Sequence, residues 1–240
     1  MQNDYTKTPR LYTPQKLERD TPIVLSDAQN HYLRSVIRLS EGDPIRLFNG
    51  ADGEWAARLL ELSKKQCRAA PFELLKPQPP EIPRVHLLFA PFKKHRMDVM
   101  IEKSVELGVT DLHPVLTART EIRTLNEDRL RAQITEASEQ CERMDLPRLH
   151  SLQPLAQKLQ SKDCPPTVLW GRERGEAVPL ADVSIEHRAF LIGPEGGFDD
   201  RETTFLESQA HVKAISMGPQ ILRCETAALA ALAYILIKKP

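Results

Sequence analysis

The sequence predicts an α/β protein, a parallel sheet covered by helices and preceded by a small β-barrel domain. Three observations carry this reading. A proline cluster, K-P-Q-P-P-E-I-P over residues 76–83, divides the 240-residue chain. Ahead of it, short apolar runs alternate with turn residues; behind it, apolar strands alternate with helical patterns. Proline fixes φ, removes a donor and biases its predecessor toward extended geometry, so the cluster reads as a stiff linker. The expected division is a barrel over residues 1–76, a linker over 77–83 and a larger domain over 84–240.

In the first region, residues 22–25 (PIVL) form an apolar extended run. Residues 26–36 form a helix, with Ser26 or Asp27 able to accept from its first free N–H groups. Residues 44–48 alternate, and Asn49-Gly50 and Asp52-Gly53 then supply residues that tolerate positive φ, so 54–59 returns as a strand. Residues 66–74 are another, and a barrel of about six strands fits.

In the second region, residues 85–90 (VHLLFA) form a buried strand. A helix from about 94 to 107 follows, with Met97, Met100, Ile101 and Val105 at helical spacing and Gly108 as its stop. Residues 112–116 form a strand. Asn126 caps the next helix, whose first turn carries Glu127 and Asp128 and whose apolar face carries Leu130, Ile134, Ala137 and Cys141. Residues 167–170 and 189–192 are short strands, each ending at a glycine. Asp199 or Asp200 caps a helix through 209, residues 212–216 form a strand, and a strong helical pattern runs from Glu225 to about Ile237. Strand–helix alternation implies a parallel sheet buried on both faces.

Composition narrows the function classes. Lys+Arg and Asp+Glu are equal at 33 each, so the net charge is zero. Split at the linker, 12 basic residues face 11 acidic ones before Arg84, and 21 face 22 from there on. That balance excludes an indiscriminate polyanion binder, whose sign would be excess charge. At 41% apolar residues the chain can bury a core. No apolar run approaches the roughly 20 residues that span a bilayer, and the first residues lack the apolar stretch of a signal peptide. A soluble cytosolic protein is expected. Cys67, Cys141, Cys164 and Cys224 are widely spread, as reduced thiols would be. His86, His95, His113, His150, His187 and His211 show no H-x-x-x-H spacing, and no metal site is expected.

Chemistry concentrates in the last third. Residues 191–200 (LIGPEGGFDD) place three glycines and a proline between a strand and a helix cap. In an α/β sheet, ligands bind outside the carboxyl ends of strands, and glycines let backbone groups approach them. The loop matches neither G-x-G-x-x-G nor the P-loop pattern. Residues 217–227 (MGPQILRCETA) again follow a strand and open a helix. Glu225 complements the helix dipole there, whereas Arg223 does not, which points to an anionic or polar partner. Trp170-Gly171-Arg172-Glu173 is a third glycine-marked strand end, and three of these in one parallel sheet imply a composite pocket. Cys224 sits near a helix N-terminus that would depress its pKa, but no histidine lies nearby in sequence. Lys93-Lys94-His95-Arg96 is a basic run at a helix start, suited to an anion.

At these residues the sequence resembles the RsmE family of ribosomal RNA methyltransferases, within the SPOUT class. The likeness covers almost the whole chain. It runs through Pro9-Arg10-Leu11-Tyr12, residues 31–39 (HYLRSVIRL) with 47–50, residues 101–109 (IEKSVELGV), residues 137–143 (ASEQCER), L-I-G-P-E-G-G-F from Leu191 and G-P-Q-I-L-R-C-E-T-A-A from Gly218. Two positions depart from the usual pattern: Cys224 stands where Thr or Val is more frequent, and Met144-Asp145 where a basic residue is common.

The resemblance implies a SPOUT-type parallel sheet with a C-terminal trefoil knot and a PUA-like barrel. It implies S-adenosylmethionine as methyl donor, N3 of a uridine in the decoding region of 16S ribosomal RNA as acceptor, the small ribosomal subunit as partner, and a homodimer. On that basis the cofactor pocket is expected to comprise Gly171, Leu191, Gly193, Glu195, Gly196, Gly197, Met217, Gly218, Ile221, Leu222 and Thr226. Uracil N3–H is a weak acid, so attack needs proton loss and a cation beside the ring. Arg223 is the leading candidate and Arg10 another, with Glu225 orienting the arginine or taking the proton. RNA contacts are expected from Arg10, Arg34, Arg38, Lys93, Lys94, Arg96, Lys103 and Arg119. The competing readings are a SPOUT enzyme acting on another atom, such as a ribose 2′-oxygen, and a non-catalytic RNA-binding assembly factor.

Overall fold

The computed structural model describes residues 5–81, 83–184, 186 and 188–238. Ile82 of the linker, His187 and Lys239 therefore lie outside the described residues. The chain divides into two compact units, Met1–Ile82 with Ser138–Leu146, and Pro83–Ala137 with Pro147–Pro240. A division at the linker puts 138–146 in the larger domain; the structure groups these residues with the first unit.

The first unit is built on a five-stranded sheet, where about six strands were expected. Its strands are β1 (Arg10–Tyr12), β2 (Ile23–Val24), β3 (Pro44–Phe48), β4 (Glu54–Leu62) and β5 (Cys67–Lys76), in the order β1-β3-β4-β5-β2. β1 and β3 run parallel and the other pairs antiparallel. Helix α1 (Asp27–His31) starts at a Ser26 capping box with Gln29. It passes into a π-helical turn, Tyr32–Ile37, closed by Arg38 in the left-handed region at φ 64°. Leu11, Ile23, Leu33, Ile45, Leu47 and Leu59 fill the core. Gly53 is obligatory: at φ 86° a Cβ would lie 2.4 Å from the Lys76 carbonyl oxygen.

Arg10 explains why 138–146 belongs here. Its guanidinium is buried and must find acceptors on every side. Nε donates to Glu54 at 2.8 Å, Nη1 to the Ser138 carbonyl at 3.0 Å and Nη2 to the Arg143 carbonyl at 2.8 Å. The guanidinium carbon lies 3.7 Å from the centre of the Phe48 ring. Arg46 donates to the same buried Glu54 at 3.1 Å and to Glu142 at 2.8 Å. Glu139 accepts from the Tyr12 amide at 2.8 Å. This corrects the expectation for Arg10. With 3% of its side chain exposed and its donors spent inside the unit, it is a structural staple, neither a catalytic group nor an RNA contact.

The second unit carries a parallel sheet with the order β11-β13-β10-β12-β6-β7-β8, and β9 pairs with β7. The strands are β6 (His86–Phe89), β7 (Asp111–Leu116), β8 (Arg148–Leu149), β9 (Gln153–Pro154), β10 (Val168–Gly171), β11 (Val178–Pro179), β12 (Ala189–Ile192) and β13 (Val212–Ser216). The helices are α2 (Lys94–Glu106), α3 (Glu127–Gln140), α4 (Leu155–Leu159), α5 (Asp200–Ser208) and α6 (Cys224–Lys238). Met97, Met100, Ile101 and Val105 of α2 are buried as their spacing requires, and Gly108 follows at φ 85°. Asn126 Oδ1 accepts from the Arg129 amide at 2.9 Å, and Asp199 forms a capping box with Glu202. α6 packs on α2 and β12. No helix among the described residues is long and apolar enough to cross a membrane, and all four cysteines are free thiols.

Candidate active site

Strand order creates the site. β13, β10 and β12 are adjacent and parallel, with Gly171 opposite Ile215 and Trp170 opposite Leu191. Their carboxyl ends therefore bring three glycine-marked loops to one place. There they enclose a cavity of about 260 Å³. Gly171, Gly193, Gly196, Gly197, Met217, Gly218, Ile221 and Leu222 all line it, as the sequence anticipated. Three expected members do not. Leu191 is fully buried in the sheet core, Glu195 is paired with Arg96, and Thr226 is exposed on α6.

The glycines leave room that side chains would take. A Cβ on Gly193 would lie 2.6 Å from the Phe198 ring, and one on Gly171 would lie 3.2 Å from the Met217 methyl. Phe198 meets Trp170 edge-on at 5.7 Å and 89°. Trp170, Phe198, Ile192, Ile215, Gln220, Cys224 and Ala227 also line the cavity and were not among the expected pocket residues. Trp170 and Phe198 stand beside predicted glycines, so the signal was adjacency; Ile215 and Ala227 carry none a sequence could display.

Arg119, Arg172 and Arg174 add positive charge to the walls. Arg119 was expected on RNA; here it donates to the Gly196 carbonyl at 2.7 Å and steadies the loop. Arg172 is held by Glu207 at 2.7 Å. Arg223, one residue before α6, is exposed and has no ion-pair partner among the described residues. Glu225 does not touch it. Its carboxylate lies 3.7 Å from Arg96 Nη1, and Arg96 also bonds Glu195, so Arg96 joins α2, the 193–197 loop and the start of α6. This corrects two expectations: Glu225 orients toward Arg96, and Arg96 is committed within its unit. Burial, then Glu195 and Glu225, push the Cys224 thiol up to about 11, against the depression expected from the helix N-terminus. Lys103 is held at 2.7 Å by both Glu102 and Glu106, whereas Lys93 and Lys94 are exposed without such partners among the described residues.

The profile of an RNA methyltransferase domain family matches residues 79–236, and that of an RNA methyltransferase PUA domain matches residues 25–72. The chain belongs to the RNA methyltransferase family. Among curated relatives, ribosomal RNA small subunit methyltransferase E of Rickettsia conorii is 32% identical over 94% of both chains. The protein of the same name from Synechocystis is 30% identical over 90% of this chain and 73% of its own. The crystal structure of the Neisseria gonorrhoeae ribosomal RNA small subunit methyltransferase E, bound to S-adenosyl methionine, is 30% identical with TM-score 0.83, covering 95% of this chain and 96% of that one. The likeness of this RNA methyltransferase to those relatives therefore runs through both of its units.

A second polar cluster lies near the amino ends of β6 and β7, away from the cavity. His86 Nδ1 and His113 Nε2 are 3.1 Å apart, and the His113 and His150 rings stack at 3.9 Å. His86, Asp111 and His113 have metal-ligating atoms within 4.8 Å of one another. Sequence spacing missed this grouping because the sheet, not the local chain, assembles it. Asp111 is already engaged by Arg84 at both oxygens, by Thr110 and by His150. Burial alone would raise its carboxyl; those hydrogen bonds outweigh burial and hold it well below the usual carboxylate range. Burial pushes His113 down to about 3. The cluster is a network of stacked imidazoles around one paired carboxylate.

Proposed function

We propose that this chain methylates N3 of a uridine in 16S ribosomal RNA, using S-adenosylmethionine bound in the glycine-lined cavity. The observation that carries the reading is the convergence of three glycine loops at the carboxyl ends of β10, β12 and β13, in a chain alike over its length to small-subunit methyltransferases. The cavity suits the cofactor. Trp170, Ile192, Ile215 and Leu222 offer apolar walls to a flat adenine, and glycine backbone offers hydrogen bonds at short range. Bound there, S-adenosylmethionine supplies an electrophilic methyl group on a sulfonium. No metal is needed, because the sulfonium already carries its leaving group.

The protein's own task is the acceptor. Arg223 is exposed, unpaired and adjacent to cavity residues Leu222 and Cys224, so its charge is available to stabilise the uracil ring as N3 loses its proton. Arg96 holds Glu225 and Glu195 and acts as a positioning group for the loops that carry them. Arg34 and Arg38 of the barrel, and Lys93 and Lys94 of the larger unit, supply phosphate contacts. The C-terminal chain forms a trefoil knot; in support, α6 returns from β13 to pack on β12, across β10. The enzyme works as a cytoplasmic homodimer on the small subunit.

Incubation with methyl-labelled donor and small subunits from a strain lacking the enzyme, then nucleoside analysis, tests the reaction. Labelled 3-methyluridine is expected. A 2′-O-methylated nucleoside would replace the acceptor, and an unlabelled subunit together with no calorimetric binding of S-adenosylmethionine would leave an assembly factor.

A further inference from the structure

We propose that the π-helical face of the barrel unit holds an unstacked nucleobase of the RNA, with Tyr32 as its stacking platform. The proposal rests on the reading of this chain as an RNA methyltransferase and names a contact that the phosphate-binding arginines do not provide. Tyr32, Ile37, Leu39 and Pro44 line a surface cavity of about 390 Å³, together with Lys7 and Asp43. Apolar side chains of this size normally turn inward. Here Tyr32 is 39% exposed and Ile37 40%, two large side chains on one cavity, and Val36 of the same turn is 60% exposed.

The backbone places them there. A regular α-helix would advance 100° per residue; the wider π turn from Tyr32 to Ile37 changes that phase and leaves only Leu33 fully buried. Arg38 then adopts φ 64°, a conformation that costs a non-glycine residue energy and ends the turn beside the cavity. Such irregularity brings no gain in packing, since the residues it presents are exposed.

Chemistry selects the occupant. An aromatic ring with aliphatic neighbours accepts the flat face of a base, which is how proteins take single-stranded RNA. Ser40 N–H donates to one Asp43 oxygen at 2.7 Å, which leaves the other to accept from a base edge. Lys7, Arg34 and Arg38 have no acidic partner among the described residues, and Arg34 Nε is buried without a hydrogen-bond partner. Lys7 on the cavity wall, with Arg34 and Arg38 on the turn that supplies Tyr32 and Ile37, sets positive charge near an apolar floor, which complements a nucleotide, phosphate outside and base inside.

Stacking and phosphate contact respond differently to salt, and that separates them. Binding of the full-length protein to a fluorescent single-stranded RNA oligonucleotide is measured across a salt series. Tyr32→Ala is expected to weaken binding by about fivefold to 150-fold at every salt concentration, with the slope of log K against log salt unchanged. Tyr32→Phe retains wild-type affinity, and Ile37→Ser weakens binding in the same salt-independent way. Arg38→Ala instead reduces the slope by about one phosphate contact. Wild-type affinity in Tyr32→Ala, with Arg38→Ala still weakened, overturns the base pocket and spares the barrel's role in RNA binding. No change in either variant removes both. Unfolding midpoints and S-adenosylmethionine affinity near wild type show that a loss is neither misfolding nor failure of the cofactor reading.

Discussion

Arg10 and Arg223 look alike in sequence, each an arginine within a distinctive segment, but their surroundings oppose them. Arg10 is enclosed by Glu54, two backbone carbonyls and the Phe48 ring. Arg223 is exposed between the cavity residues Leu222 and Cys224, with no carboxylate partner among the described residues. A guanidinium whose donors are spent on its own fold holds structure together; the exposed one is the group proposed to stabilise the uracil ring. The difference is set by who neutralises the charge, and residue type alone does not reveal it.

The largest effect should come from the enclosed arginine. Arg10→Ala leaves Glu54 buried with Arg46 alone and leaves the Ser138 and Arg143 carbonyls without their guanidinium donor, so stability should fall by about 3–5 kcal/mol in denaturant unfolding. A loss below 1 kcal/mol would deny its stapling role. Next, Gly193→Ala drives a methyl group into Phe198, which is backed by Trp170. It should cost about 1–3 kcal/mol and lower S-adenosylmethionine affinity in calorimetry, more than Gly171→Ala, whose Cβ meets the ends of two flexible side chains, Met217 at 3.2 Å and Ile192 at 3.3 Å. Equal effects from the two variants would mean that the ring does not shape the cavity.

The histidine network sharpens the contrast through pH. His113, with His86, His150, Asp111 and Lys158 around it, is pushed down to about 3 from an unfolded value of 6.5. A lowered folded pKa means the unfolded state binds the proton more readily. Its contribution is complete above about 6.5 and is lost as pH falls toward 3. Asp111 is also depressed, so its contribution goes as pH falls below its unfolded value of 3.8. Unfolding midpoints should drop between pH 7 and 4.5, less steeply in His113→Asn; an identical slope in the variant would contradict this. The smallest effect concerns Cys224, whose thiol at about 11 should react with iodoacetamide at pH 8 on the order of 100-fold more slowly than a free cysteine.

Much of the larger unit was legible because its signals are local. Helical spacing located α2, Gly108 ended it, and glycines marked the ends of β10 and β12. Local rules also reach α1, where Ser26 caps as expected, but not the π turn from Tyr32 to Ile37, where tertiary packing decides the phase. Short strands such as β8 and β9 escaped, since two residues carry no periodicity. The pairing of Arg96 with Glu195 and Glu225 spans about 100 residues and follows only from how α2, the glycine loop and α6 are assembled. The same holds for the return of 138–146 to the barrel, which Arg10 and Glu139 arrange.

The contrast between the two arginines reduces to one measurement, the single-turnover rate of 3-methyluridine formation by Arg223→Ala on small subunits at saturating S-adenosylmethionine, with its unfolding midpoint taken on the same preparation. The account predicts a rate lower by about 100-fold or more at an unfolding free energy within about 0.5 kcal/mol of wild type. A near-wild-type rate in a fully folded variant would contradict it.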